Sequence, residues 1–330
     1  MVNKFVLCMG SETIEILCLS TPDLRSVLTF DAVIAAVEQA YIAHSSGTGH
    51  TYPIIREKLS ADAVFGVKAG FLEQGNVLGL KAAGYWRKNR EQNEEAHQAT
   101  VVLTDPETGK PRAFMDGNFI TTIRTGAAGA VAAKYLARQD AQVLAMIGTG
   151  VQGKIQTEGI LHVRPGIKEV RCFGLTGRSV ADFVAQFQNR VKVTVCDDSK
   201  SAATGADIIV TATPAMQPLI LKEYLKPGVH INAMGADTKG KSELDESVLT
   251  DAEFFTDDLH QSRTIGELQK NPDRAATEIG ALLLGKHAGR QQDEQITIFD
   301  STGIALQDLT TAELALRNAR EQNIGTLLHW

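Results

Sequence analysis

The sequence predicts an α/β protein, in which a doubly wound parallel sheet follows an α+β N-terminal domain. Three observations predict it. From residue 141 onward, apolar strand-like runs alternate with helical stretches, as happens when helices cross over between parallel strands. A glycine-rich turn, Gly148-Thr149-Gly150-Val151-Gln152-Gly153, joins the first of these runs to a helical segment. Before residue 120, many short strand-like runs precede any such alternation, which suggests a sheet of its own.

The elements follow in order. Residues 31–46 carry Val33, Ile34, Val37, Ala40 and Tyr41 at the spacing of a helix with one buried face, with Thr29 or Asp31 as cap and Gly47 as stop. Strands are expected at 63–69, 77–85 and 98–104. Asp105-Pro106-Glu107-Thr108-Gly109 is a turn signal, so Arg112–Met115 should return antiparallel to the last of these. Residues 122–138 are Ala-rich and helical, bridging into the second unit, with Arg124 opening the bridge. Strands then recur at 142–147, 169–174, 191–196, 207–212, 229–234, 252–256 and 295–299. Runs such as Ile208-Ile209-Val210 are almost wholly apolar, as strands covered on both faces must be. The amphipathic segment 304–321 is expected to pack back on the first domain. This divides the chain into residues 1–122, joined by 307–330, and residues 123–306.

With 330 residues, 43% hydrophobic and 22% charged, the chain has enough apolar surface for two cores. A net charge of −6 argues against nucleic-acid or membrane partners. The N-terminal stretch is broken by Glu12 and Glu15 and does not read as a signal peptide. Cys8, Cys18, Cys172 and Cys196 have neither CxxC spacing nor a His cluster, so thiols in a reducing cytoplasm are expected, with no metal site.

Both flanks of the glycine-rich turn, the strand 142–147 and the helix 151–162, fit a Rossmann-type dinucleotide site. Gly148 permits the tight turn, Gly150 lets the backbone approach a pyrophosphate, and Gly153 lets the helix pack on the strand. The helix N-terminus offers free N–H groups to the phosphates. At the end of the second strand, where an NAD site usually has an acid, the sequence reads Gly174-Leu175-Thr176-Gly177-Arg178-Ser179. Thr176, Arg178 and Ser179 could cradle a 2′-phosphate, although Arg178 reads equally as a solvated residue at a helix start. The lean is toward NADP(H) over NAD(H).

Ligands of such sheets sit beyond the carboxyl ends of the strands, where Asp237 follows the run 229–234. It could hold a substrate amine or pass a proton, or simply form a turn. The first domain offers cations: Arg56, Lys68, Lys81 and Arg124. A guanidinium suits a bidentate carboxylate grip, and Lys81 on an apolar strand is costly to bury without an anion. Trp86 and His97 are further candidates for lining the cleft.

Together these segments resemble the ornithine cyclodeaminase/mu-crystallin family over nearly the whole chain. The resemblance rests on Leu80–Gly84 with Thr104–Gly109, Arg124–Ala128, Ile147–Gln152, Asn232–Leu244 and Phe299–Leu306. It implies a homodimer built through the first domain, with a nicotinamide cofactor held by the second. It further implies that Arg56, Lys81 and Arg124 bind a substrate α-carboxylate and that Asp237 holds the amine or imine nitrogen. Thr125, Thr211, Ala212, Thr213, Met234, Gly235, Ser301 and Gly303 would line the cofactor. The family's cyclodeaminases carry a glutamate where Lys68 aligns. A lysine there repels an ornithine ammonium and attracts a second carboxylate, so the expected substrate is a small dicarboxylic 2-imino acid such as iminosuccinate. The alternatives are an ornithine cyclodeaminase and a non-enzymatic, mu-crystallin-like binding protein.

Overall fold

The computed structural model of the chain describes residues 14–329 except Asn93, so Cys8 and the N-terminal stretch lie outside the described residues. Two eight-stranded sheets organise it. In the first, Ala63–Leu72, Val77–Trp86, His97–Thr104 and Pro111–Asp116 pair antiparallel in sequence order. The expected strands are all present, the first extending to Leu72. The turn between the last two is closed by Asp105, whose Oδ1 accepts from Glu107 N at 3.0 Å and Thr108 N at 2.8 Å.

Four strands of this sheet were not legible in the sequence. Glu15–Leu19 joins it parallel to Pro111–Asp116 and pairs on its other side with Thr326–His329. Gly49–Thr51 and Ile55–Ser60 both pair with Ala63–Leu72. Ile55–Ser60 (IREKLS) is exposed along its length, and such a run lacks the apolar alternation that betrays a half-buried strand.

The helix Phe30–Ser46 starts at Thr29, whose side chain accepts from Ala32 N at 3.3 Å, and stops at Gly47 with φ 79°. It buries the five apolar residues named above. The bridging helix is Gly117–Leu136 and begins earlier than expected, because Asp116 Oδ1 caps it by accepting from Asn118 N at 2.8 Å and Phe119 N at 3.2 Å. Arg124 therefore does not open the helix. It lies well inside it and is buried. The helix Ala305–Gln322 packs on Phe30–Ser46 and on the first sheet, as its apolar stripe led us to expect.

The second sheet is parallel throughout. Its order is Lys192–Val195, Glu169–Phe173, Val143–Ile147, Ile208–Thr211, His230–Ala233, Ile296–Asp300, Ala252–Thr256, Thr277–Glu278. Each of the seven expected runs holds a strand. The chain enters in the middle, winds to one edge and returns to the other side, so the crevice opens between Val143–Ile147 and Ile208–Thr211. Register aligns Phe173, Ile147, Thr211, Ala233, Asp300 and Thr256 in one row at the carboxyl edge. Leu144, Ile147, Ile208, Ile209, Val210 and Ile231 are fully buried, each worth about 1.5–3 kcal/mol. That rigid apolar floor fixes the row from which the site loops leave. The fold is thus a Rossmann-type doubly wound sheet plus an α+β unit. Among the described residues, no single helix is long and apolar enough to cross a membrane.

Candidate active site

The glycine-rich turn leaves the row at Ile147. Gly148 has φ 106°, and a Cβ there would lie 2.5 Å from the Ala212 carbonyl oxygen. Nothing would meet a Cβ on Gly150, which begins the helix Val151–Val163 without a side-chain cap. The N–H groups of the first turn are therefore open to an anion. The sequence reading of Gly153 needs correction. A Cβ there would lie 1.9 Å from the Gly148 carbonyl oxygen and only then 3.7 Å from Met146 of the strand, so this glycine chiefly lets the turn close on itself. Gln152 Oε1 is buried without a partner. A glycine turn with positive φ at Gly148 and an uncapped helix start with free N–H donors fit a dinucleotide pyrophosphate.

At the end of the second strand the expected hydroxyls converge. Thr176 Oγ1 donates to Ser179 Oγ at 2.6 Å, and Ser179 Oγ meets Thr149 Oγ1 at 2.9 Å. Arg178 is exposed at the start of the helix Gly177–Phe187. The other candidates leave the same row. Thr211 is buried, and Ala212 and Thr213 follow it. Met234 N donates to Thr211 O at 2.8 Å. Thr125 is buried on the bridging helix, its hydroxyl donating to Thr121 O at 2.6 Å. Sequence reasoning missed the brace between two of these loops. Buried Glu243 accepts from Thr213 N at 2.8 Å and from Thr213 Oγ1 at 2.6 Å, while its other oxygen accepts from Gly235 N at 2.9 Å.

The loop Ser301-Thr302-Gly303 is gripped from two sides. Buried Asp257 accepts from Ser301 Oγ at 2.8 Å, Thr302 N at 3.2 Å and Gly303 N at 2.7 Å. From the first sheet, Lys68 Nζ donates to Thr302 O at 2.9 Å and Gly303 O at 2.5 Å. An ammonium has three donors, so Lys68 is fixed in place with one left over. Burial, and then the Arg124 charge, push its pKa down to about 8, with Asp308, Asp237 and Asp257 opposing.

Lys81 and Arg124 meet on a residue the sequence reading passed over. Lys81 Nζ and Arg124 Nε each donate to Asp308 Oδ1 at 2.9 Å, and Arg124 Nη1 donates to Gln307 Oε1 at 2.9 Å. Asp308 is fully buried. Burial would raise its pKa, but Arg124 and Lys81 hold the carboxyl below its usual range. Burial lowers Lys81 to about 7, against the pull of Asp308 and with the help of Arg124 and Lys68. A signal was available: Asp308 lies on the apolar stripe of its helix with Ala305, Ala312 and Ala315, where an unpaired carboxylate would be costly.

Asp237 lies where the sequence placed it, beyond His230–Ala233. Lys241 Nζ donates to its Oδ1 at 2.9 Å, and Arg56 Nη2 to its Oδ2 at 3.4 Å. Burial acts upward on its pKa, yet Lys241 and Arg56 hold it at about 2, so it is a carboxylate at every working pH. His97 has a partner that the sequence did not show, Asn118 Oδ1 at 3.1 Å, and burial together with Lys81 lowers its pKa. Trp86 lies over Gly84, where a Cβ would come within 2.6 Å of its ring, and acts as packing.

The chain is similar to known proteins over nearly its whole length. The chain is 36% identical to the iminosuccinate reductase of Paracoccus denitrificans, over 94% of this chain and 98% of that protein. It is 33% identical to the alanine dehydrogenase of Archaeoglobus fulgidus, over 94% and 98%. Among solved structures, an archaeal alanine dehydrogenase dimer with bound NAD superposes with a TM-score of 0.89 at 33% identity, over 96% of this chain and 99% of that one. The Paracoccus denitrificans iminosuccinate reductase in complex with NAD+ gives 0.87 at 35% identity, over 95% and 99%. The description of the ornithine cyclodeaminase/mu-crystallin family matches residues 15–323, and the chain belongs to that family.

Proposed function

We propose that the chain is a nicotinamide-dependent imino acid reductase, an oxidoreductase acting on C=N groups, whose substrate is a small dicarboxylic 2-imino acid such as iminosuccinate, reduced to aspartate. The observation that carries this reading is the charge balance of one connected site. Arg56, Lys68, Lys81, Arg124 and Lys241 face Asp237, Asp257 and Asp308, an excess of two positive charges when both Lys68 and Lys81 are protonated. Partly buried cations left over in this way favour an anionic ligand with two carboxylates.

Arg56, Lys81 and Arg124 would bind the α-carboxylate, and the spare donor of Lys68 would take the distal one. The bound reduced cofactor supplies a hydride to the C=N carbon. Asp237, ionised throughout, accepts an N–H of the protonated imine, orients its carbon and balances its charge. Fixed cations at both ends of the substrate supply proximity without covalent chemistry. In this reading residues 1–122, with 307–330, bind substrate and form a homodimer, while 123–306 hold the dinucleotide. Support for the dimer comes from Ile55–Ser60, whose Ile55 and Leu59 are exposed, and from the dimeric archaeal relative. Thr149, Thr176, Ser179 and exposed Arg178, with no acid beside them, lean the cofactor toward NADP(H). The free thiols Cys18, Cys172 and Cys196 suit the reducing cytoplasm.

Steady oxidation of NADH or NADPH with oxaloacetate plus ammonia tests the reading. Ammonia release from ornithine without net cofactor use would instead establish a cyclodeaminase. Saturable cofactor binding with neither reaction would leave a binding protein.

A further inference from the structure

We propose that Asp308 is a positioning residue for the substrate grip, a built-in carboxylate that holds Lys81 and Arg124 together so that their remaining N–H groups serve the substrate's α-carboxylate. The inference rests on the substrate reading above. One oxygen, Asp308 Oδ1, accepts from both cations at 2.9 Å. Gln307, the preceding residue, accepts from Arg124 Nη1, and its amide donates to Tyr41 Oη at 2.6 Å, which fixes its own orientation. Arg124 has thus committed two of its five donors and Lys81 one of its three.

A purely structural ion pair would need one cation for one carboxylate. Here the buried Asp308 has two, and the half-buried ammonium of Lys68 lies in the same field. Gathering so much positive charge is costly unless a further anion completes it. The groups facing Lys81 are Asp308 on the last helix, Arg124 on the bridging helix, Lys68 on the neighbouring strand and His97 on the other. Asp308 is the one anion among them, and its pull opposes the lowering of the Lys81 pKa by burial and by the neighbouring cations. Because the grip serves the α-carboxylate, its loss should affect all 2-imino acids alike.

The test uses the full-length enzyme with oxaloacetate plus ammonia and, in parallel, pyruvate plus ammonia. Asp308→Asn should raise KM for both by about 10- to 100-fold, the worth of charge-assisted hydrogen bonds. The pH above which KM climbs should fall by about one unit. The dissociation constant for the reduced cofactor should not change. Asp308→Glu keeps the charge and should return the pH onset to that of the parent even with a raised KM. Lys81→Ala separates the two ideas. If it raises KM while Asp308→Asn moves neither KM nor the pH onset, the role of Asp308 is overturned and the substrate reading stands. If neither variant changes KM, the substrate reading itself fails. Should Asp308→Asn lose cofactor binding through misfolding, Asp308→Glu decides: a raised KM with the parental pH onset supports the proposal, and an unaltered KM overturns it.

Discussion

Arg56 and Asp237 are joined twice across 181 residues of sequence: Nη1 of the arginine donates to the aspartate carbonyl at 2.5 Å and Nη2 to its carboxylate at 3.4 Å. The contact ties an exposed strand of the first sheet to a loop of the second. It brings a guanidinium and a carboxylate from the two sheets into one site. About two-fifths of each side chain remains exposed, so both can be reached by a ligand.

Asp237→Asn should lower kcat about 100-fold or more while leaving cofactor affinity within about threefold. Because the Asp237 carboxyl lies near 2, it gives no acid limb above pH 4. A pH–rate profile from 4 to 9 checks this, and an Asp237-dependent limb near neutrality would refute the assignment.

Lys68→Ala should raise KM for the imine of oxaloacetate by about 10-fold or more, and change the pyruvate-derived imine much less, because one of them has a second carboxylate and the other does not. Equal losses on the two substrates would remove Lys68 from specificity. They would leave it as the clasp on Thr302 and Gly303.

Substrate affinity should fall as pH rises. Carboxylates bind the protonated amines, and Lys81 and Lys68 lose their protons near 7 and 8, well below an ordinary lysine. KM should thus be lowest below about pH 7 and climb through 8 and 9. By linkage, bound substrate should move both values upward. Flat KM between pH 6.5 and 9 would mean that neither amine touches the ligand.

Gly153→Ala and Gly150→Ala should behave differently. A Cβ on Gly153 meets the Gly148 carbonyl at 1.9 Å, so the turn must open. We expect a loss of about 1–3 kcal/mol in stability and at least tenfold in cofactor affinity. A Cβ on Gly150 meets nothing in the chain. Its alanine variant should fold normally, and any loss should appear only in cofactor titrations, where the backbone would approach the pyrophosphate.

Arg178→Ala should reduce kcat/KM with NADPH about tenfold or more and with NADH only slightly, if this side chain meets a 2′-phosphate. Equal effects on the two cofactors would show that Arg178 is simply a solvated residue at a helix start.

Local patterns carried much of this protein in its sequence. Seven of the eight strands of the parallel sheet were legible as largely apolar runs, the two-residue Thr277–Glu278 being the exception, and the turn from Gly148 to Gly153 has glycines where a backbone must bend and close. The helix Phe30–Ser46 declared its face and both ends. Asp237 was legible from its position after a strand. Each of these depends on neighbours in sequence, and periodicity and turn chemistry report such neighbours directly. What only the tertiary structure decided was pairing across the chain. Lys68 on the carbonyls of Thr302 and Gly303, Lys81 and Arg124 on Asp308, and Glu243 between Thr213 and Gly235 join residues that no local rule brings together. A buried charge declares its need for a partner, as Lys81 did, but the partner's identity depends on which helix packs over it. That packing is set by the whole core, so Asp308 became visible only when Ala305–Gln322 lay across the first sheet.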